Sequence, residues 1–178
     1  IARSLGGSVL DVEFPSRYGG NIRVFLGAHT AQTPKTSVEV QAIIDREANF
    51  RNLFRVMQHN ITQWKTRKRA EIDQLVRTHG KLRGKAFPGR AAILVKLLGL
   101  DVEQIEAVHE KPGSMKIGHY LPGTRIPIVS DDELFARETL SQPLLNLAWH
   151  IEAEIQGYLR RQGYTGSIVP ILSSSDFN

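Results

Sequence analysis

Leu82-Arg-Gly-Lys-Ala-Phe-Pro-Gly-Arg-Ala-Ala-Ile-Leu-Val-Lys-Leu-Leu-Gly99 is the stretch whose reading decides the fold. Residues 82–87 form a short strand pattern. Pro88 suits the first turn of a helix over 88–98, and Gly99 suits its stop. The same kind of unit then recurs. Residues 103–109 read as a strand, Ile126-Pro-Ile-Val129 as another, and Asp131-Asp-Glu as an acidic helix start. Leu144-Leu-Asn-Leu-Ala148 is a buried-strand run, 149–161 a helix closed by Gly163, and 167–172 a last strand. Pro170 confines that strand to an edge or a bulge, because proline cannot donate to a ladder. Alternating strands and helices predict an α/β fold, with a mostly parallel sheet flanked by helices. Ligands of such sheets sit beyond the carboxyl ends of the strands. The loops after residues 87, 109, 129 and 148 are therefore where function is expected.

Upstream of this region the patterns differ. Val9 to Phe14 alternates and ends at Pro15, while Ile22-Arg-Val-Phe-Leu26 is a second short strand. Ser16-Arg-Tyr-Gly-Gly-Asn between them is a turn signal, so an N-terminal hairpin is expected. A long helix is expected over 37–79. Thr36 or Ser37 would cap it, with Glu39 at a capping-box spacing from Thr36. Its apolar stripe runs through Phe50, Leu53, Phe54, Met57, Ile61 and Trp64, and a break is placed near His59-Asn60 or Arg67. The expected organisation is one domain over 1–172 and a flexible tail over 173–178.

Composition sets outer limits. The chain has 178 residues, of which 41% are hydrophobic, enough for a real core. It contains no cysteine, which excludes disulfides and cysteine-based zinc sites and fits a reducing cytoplasm, the expected compartment. No apolar run approaches the ~20 residues of a membrane span. The chain opens on Ile1 without Met and is expected to be a piece of a longer polypeptide. A formal net charge of +5 favours anionic ligands.

Several stretches carry candidate chemistry. The phosphate-binding glycine motifs are missing. Gly84-Lys-Ala-Phe-Pro-Gly-Arg90 nonetheless joins a strand to a helix, where Lys85 and Arg90 could meet an anion; a plain turn is the competing reading. Residues 111–128 interleave three prolines and three glycines with Lys116, His119, Tyr120, Thr124 and Arg125. Such a rigid loop offers donors suited to phosphate or sugar oxygens, although a structural crossover loop would look similar. Trp149 and His150 fall at a strand's carboxyl end, and His150 and Glu154 are four apart on the expected helix. That spacing could orient a general base or be a surface pair. Arg23 follows a glycine pair that could permit close backbone approach. The cluster Lys65-Thr-Arg-Lys-Arg69, with Arg77, Lys81, Arg83 and Lys85, reads as a solvated helix face, and nucleic acid is the weaker explanation. No serine or cysteine triad can be picked out.

These pieces, in this order, resemble the C-terminal domain of S-adenosylmethionine-dependent sugar C-methyltransferases, which act on keto-deoxysugars linked to a nucleoside diphosphate. Gly19-Gly-Asn-Ile-Arg-Val24 is similar to the family's Gly-Gly-x-x-Arg-Val strand. Lys116-Ile-Gly-His-Tyr-Leu-Pro-Gly-Thr-Arg-Ile-Pro-Ile128 matches its Lys-x-Gly-x-x-x-Pro-Gly-Thr-x-Ile-Pro-Ile segment, the most specific of the matches. Leu147-Ala-Trp-His-Ile-Glu-Ala-Glu-Ile155 is similar to a third segment, with His150 where the family has Asn. Val169-Pro-Ile171 matches the closing strand. The loop at Gly84 fits its counterpart loosely, and Glu110 stands for the acidic residue before the Lys-x-Gly loop.

The resemblance implies a Rossmann-like domain that closes the active site and contacts the nucleotide-sugar. It places the S-adenosylmethionine site and a zinc domain upstream, in the same polypeptide, and it implies that this piece alone transfers no methyl group. Candidate catalytic residues are His119, Tyr120 and His150. Candidate substrate contacts are Arg23, Lys85, Arg90, Lys116, Gly118, Pro122, Gly123, Thr124, Arg125, Trp149 and Glu154. No metal or cofactor is expected on this segment itself, and a homo-oligomer is left open. The rival reading is a non-catalytic dimerisation or interaction module built on the helix 37–79.

Overall fold

The structure, a computed structural model, describes residues 1–15, 21–28, 38–135 and 140–177. They divide into two compact units, 1–58 and 59–178.

The first unit holds an antiparallel hairpin, β1 (Gly7–Glu13) and β2 (Arg23–Ala28). The expected strands are both present, and a bulge at Leu10 shifts the register between Val9 and Asp11. Tyr18, Gly19, Gly20, Thr36 and Ser37 lie outside the described residues, so the hairpin turn and the helix cap do too. Helix α1 (Val38–Ala48) follows, and α2 (Phe50–His79) begins after it. The long helix is therefore interrupted at Asn49, not at His59-Asn60 or Arg67, through which α2 runs unbroken. Asn49 donates to the Arg46 carbonyl (3.0 Å), and its own carbonyl accepts from Leu53 (3.1 Å). Asparagine competes with helical backbone bonding in a helix interior and is favoured at a start, which is where it sits.

The second unit is the Rossmann-like sheet. Its strands are β3 (Leu82–Lys85), β4 (Ile105–Glu110), β5 (Ile128–Ser130), β6 (Leu144–Asn146) and β7 (Ile168–Pro170). All pair in parallel, in the order β5-β4-β3-β6-β7. Pro170 ends the edge strand β7, as its missing donor requires. Helices α3 (Ala91–Leu98), α4 (Asp131–Phe135) and α5 (Glu152–Arg161) complete the unit with the rest of α2. Pro88 starts a turn that closes on Ala91 N (2.8 Å), so α3 begins three residues later than the proline suggests. Gly99 ends it in the left-handed region (φ 63) and leaves Leu100 N to bond Val95 O at 3.0 Å.

Two apolar layers hold the sheet. One joins Trp64 and Ile72 of α2 and Val95 of α3 to Ile105, Val108 and Leu145. The other joins Leu134 of α4 and Ile155 and Leu159 of α5 to Leu144, Ala148 and Tyr164. Gly84 on the central strand faces the first layer, where a Cβ would stand 2.9 Å from Val108 Cγ2. The basic cluster on α2 is a solvated face at Lys65, Arg67 and Arg77, which are exposed, while Lys68 and Arg69 act as staples. Lys68 is buried and bonds Pro170 O (3.1 Å) and Glu71 (2.7 Å). Arg69 binds Asp73 (2.9 Å) and, at the end of α3, Leu98 O and Gly99 O (3.0 and 2.8 Å). A cation there meets the negative end of the helix dipole. The expected tail forms a 3-10 turn, Ser174–Phe177, where Arg67 reaches Asp176 O at 2.8 Å.

Candidate functional site

The strand order reverses between β3 and β6: the chain first builds outward through β4 and β5, then crosses to β6 and β7. In open α/β sheets the loops leaving the two strands at such a point diverge, and ligands bind in the crevice at their carboxyl ends. On the β3 side stand Ala86, Phe87 and the turn to α3. Ala86 takes a left-handed φ of 60° and donates to His109 O (2.9 Å), extending the ladder past the strand. On the β6 side stand Asn146, Ala148 and the 3-10 turn Trp149–Ile151.

Lys116 is drawn to this end. Its Nζ donates to Glu110 Oε1 (3.0 Å) and to Phe87 O (2.5 Å), while Glu110 Oε1 also accepts from Phe87 N (2.7 Å). One carboxylate thus ties the loop 111–127 to the turn after β3. An ammonium has three donors, so Lys116, whose side chain is 46% exposed, keeps one for another acceptor.

Arg125 is not drawn there. From β4 the loop 111–127 runs back along β5, with Gly118 N on Ile128 O (2.9 Å) and Ile128 N on His119 O (2.8 Å). Its tip turns at Pro122, Gly123 and Thr124, where the Thr124 hydroxyl donates to Leu121 O (2.8 Å) and accepts from Ile126 N (3.1 Å). Arg125 N then donates to Asp101 Oδ1 (3.0 Å), and Asp101 precedes β4. Pro122, Gly123, Thr124 and Arg125 therefore lie at the amino end of the strands, opposite Lys116. Buried Leu121 and Ile126 anchor the loop, and Gly113, Gly118 and Gly123 take its left-handed turns. The backbone amides of Arg125 and Val102 hold the Asp101 carboxyl below its ordinary pKa.

Other expected residues separate as well. His119 and Tyr120 are exposed beside β5, the outer strand, whereas His150 follows β6. Three strand spacings of ~4.8 Å each stand between those two positions. His150 packs edge-on against Trp149 (5.5 Å). The helix expected over 149–161 is two elements. Ile151 (φ −133°) breaks it, so His150 and Glu154 do not share a continuous helix face, and Glu154 is exposed on α5. Arg23 belongs to the first unit, paired with Glu13 at 2.8 Å.

Lys85 is buried, and all three of its donors are engaged: Asp131 Oδ1 and Oδ2 at 2.8 Å each, and His109 O at 3.3 Å. Tyr158 OH adds a bond to Asp131 Oδ2 (2.8 Å). Burial pulls the Lys85 pKa down against the pull of Asp131, and burial with Asp131 pushes the Tyr158 hydroxyl up. His109 is buried too, its Nδ1 3.2 Å from Ser130 O; burial lowers its pKa, so the neutral ring donates there. Lys85 is thus a fastening of α4 and α5 to the sheet.

Sequence reasoning does not single out Asp131, Tyr158, His109 or Asn146 as site residues, because their importance comes from partners far along the chain. Asn146 is fully buried; its Oδ1 accepts from Ala148 N (2.9 Å), but its Nδ2 has no partner among the described residues. Trp149 Nε1 is likewise buried without an acceptor among them. Among the described residues no cluster of three potential metal ligands occurs.

A family model described as a C-methyltransferase C-terminal domain matches residues 16–171. No curated protein matches the chain.

Proposed function

The chain belongs to the C-methyltransferase C-terminal domain family, and from that premise we propose that it is the substrate-side domain of an S-adenosylmethionine-dependent enzyme acting on a nucleotide-linked keto-deoxysugar. The observation that carries the reading is the pair of buried donors that find no acceptor among the described residues, Asn146 Nδ2 and Trp149 Nε1, where the strand order reverses. A buried donor left unmade costs about 1–3 kcal/mol, which an oxygen acceptor on a ligand would offset. On the neighbouring β3 side, the spare N–H of Lys116 and the exposed Arg90 suit a diphosphate.

Methylation at carbon needs a base to remove the proton next to a ketone, and an electrophilic group to hold the resulting enolate. His150, at the crevice, is the base this domain would offer; Lys116 would face the developing charge. His119 and Tyr120 lie too far across the sheet to act with His150. The turn after β3 carries Ala86, Phe87 and Pro88 where a cofactor loop needs glycines, so it does not fit S-adenosylmethionine. We assign the methyl donor, and any zinc, to the domains before this one.

Calorimetric titration of the chain with thymidine diphosphate and uridine diphosphate tests the reading. Saturable binding that weakens tenfold or more in Lys116→Ala is expected. Absence of heat with both, together with unchanged turnover of the intact enzyme carrying Lys116→Ala, would sink it.

A further inference from the structure

The first unit has regular structure but no core. None of its residues whose side chains are described is buried, whereas the buried apolar residues begin at Trp64. Of the exposed large apolar side chains, all but Ile93, Leu97, Met115 and Tyr120 belong to residues 1–58. They are ordered into faces. Directly opposed residues of an antiparallel pair share a face, so the register Val9↔Leu26 and Val12↔Val24 makes one hairpin face wholly apolar. Three of these four are more than a third exposed, with Val24 and Leu26 each at 47%. Phe50, Leu53, Phe54 and Met57 form a second exposed stripe at helical spacing, with Phe50 and Phe54 stacked at 5.9 Å.

Such a unit does not stand alone. A two-stranded ribbon is marginal in water unless further strands or a helix cover it. Among the described residues each hairpin strand pairs on one side only, so both outer edges are open. An exposed apolar surface of this extent marks an interface.

The family match points to what covers it. The match begins at residue 16, between β1 and β2, so β1 lies before the matched segment while its partner β2 lies within it. We infer that residues 1–58 are the docking element for the preceding domain of the same enzyme, with the apolar hairpin face and the Phe50–Met57 stripe buried against it and a hairpin edge extending its sheet. Tethering favours this occupant over a second copy. A covalently linked neighbour acts at an effective concentration of about a millimolar, far above that of separate molecules. The inference rests on family membership and not on the sugar reading, so loss of nucleotide binding would leave it intact.

Hydrogen exchange on the intact enzyme and on this chain alone tests it. Amides of residues 23–28 are expected to exchange at least 100-fold more slowly in the intact enzyme, while those of β4 exchange alike in both. In the intact enzyme, Val24→Asp with Leu26→Asp should restore fast exchange in the hairpin and leave β4 protected, whereas Ile93→Asp should change neither. If the double variant fails to fold, mixing this chain with the separately produced preceding domain gives the second measurement. Dissociation constants should weaken tenfold or more for Leu53→Asp. Equal hairpin exchange in intact enzyme and chain would overturn the inference. So would hairpin protection that appears only as this chain dimerises.

Discussion

Lys85 Nζ sits 2.8 Å from both carboxylate oxygens of Asp131, and both side chains are almost completely buried. Lys85 ends the central strand and Asp131 opens the helix after β5, so the pair spans β4. Tyr158 brings α5 to the same carboxylate. Removing one partner leaves an uncompensated buried charge. Asp131→Ala should therefore cost about 3–5 kcal/mol, and the combined Lys85→Met, Asp131→Leu variant much less. Urea denaturation of the three proteins checks this; equal losses in the single and double variants would contradict it.

The carboxyl-end and amino-end parts of the loop 111–127 should separate functionally. In the intact enzyme, Lys116→Ala is expected to lower kcat/KM at least tenfold, while Arg125→Ala stays within about twofold, as uncoupled surface changes do. Glu110→Gln should follow Lys116→Ala in direction, since Glu110 orients both Lys116 and the Phe87 amide. Steady-state kinetics at saturating methyl donor decides it, and equal effects at positions 116 and 125 would refute the split.

His109 makes stability depend on acidity. Burial holds its folded pKa below the ordinary 6.5. Between the folded value and 6.5 the unfolded chain binds more protons, so stability falls as pH drops through that window. Asp131, Arg83, Lys85 and the Ser130 carbonyl surround the ring and set the remaining field. In His109→Gln the loss of stability from pH 7 to pH 5 should shrink, as read by denaturant midpoints; an unchanged slope would exclude His109 as the source.

Gly166 has no room for a side chain, because a Cβ there would overlap the Gln142 carbonyl oxygen and carbon. Gly166→Ala should destabilise the second unit by about 1–3 kcal/mol through a forced backbone shift. Gly118→Ala meets no atom within 4 Å but keeps a left-handed φ of 84°, so its cost should be that of backbone strain, about 1 kcal/mol. Thermal melts of both variants compare overlap with strain.

The sequence by itself determined the alternation of strands and helices after Gly80, the hairpin before the long helix, the confinement of Pro170 to an edge or a bulge, and the family. Each of these follows from local periodicity, from proline and glycine chemistry, or from a motif read along the chain. Only the tertiary structure decided which of the marked residues meet. Lys116 and Arg125 are nine positions apart and look like one site, yet the loop runs down the side of β5 and delivers them to opposite ends of the sheet. Lys85 looks like an anion ligand, yet Asp131, 46 residues away, takes its charge. Sequence spacing fixes neighbours within a helix or strand; direction across a sheet, and the partner of a buried charge, are set by the packing of distant segments.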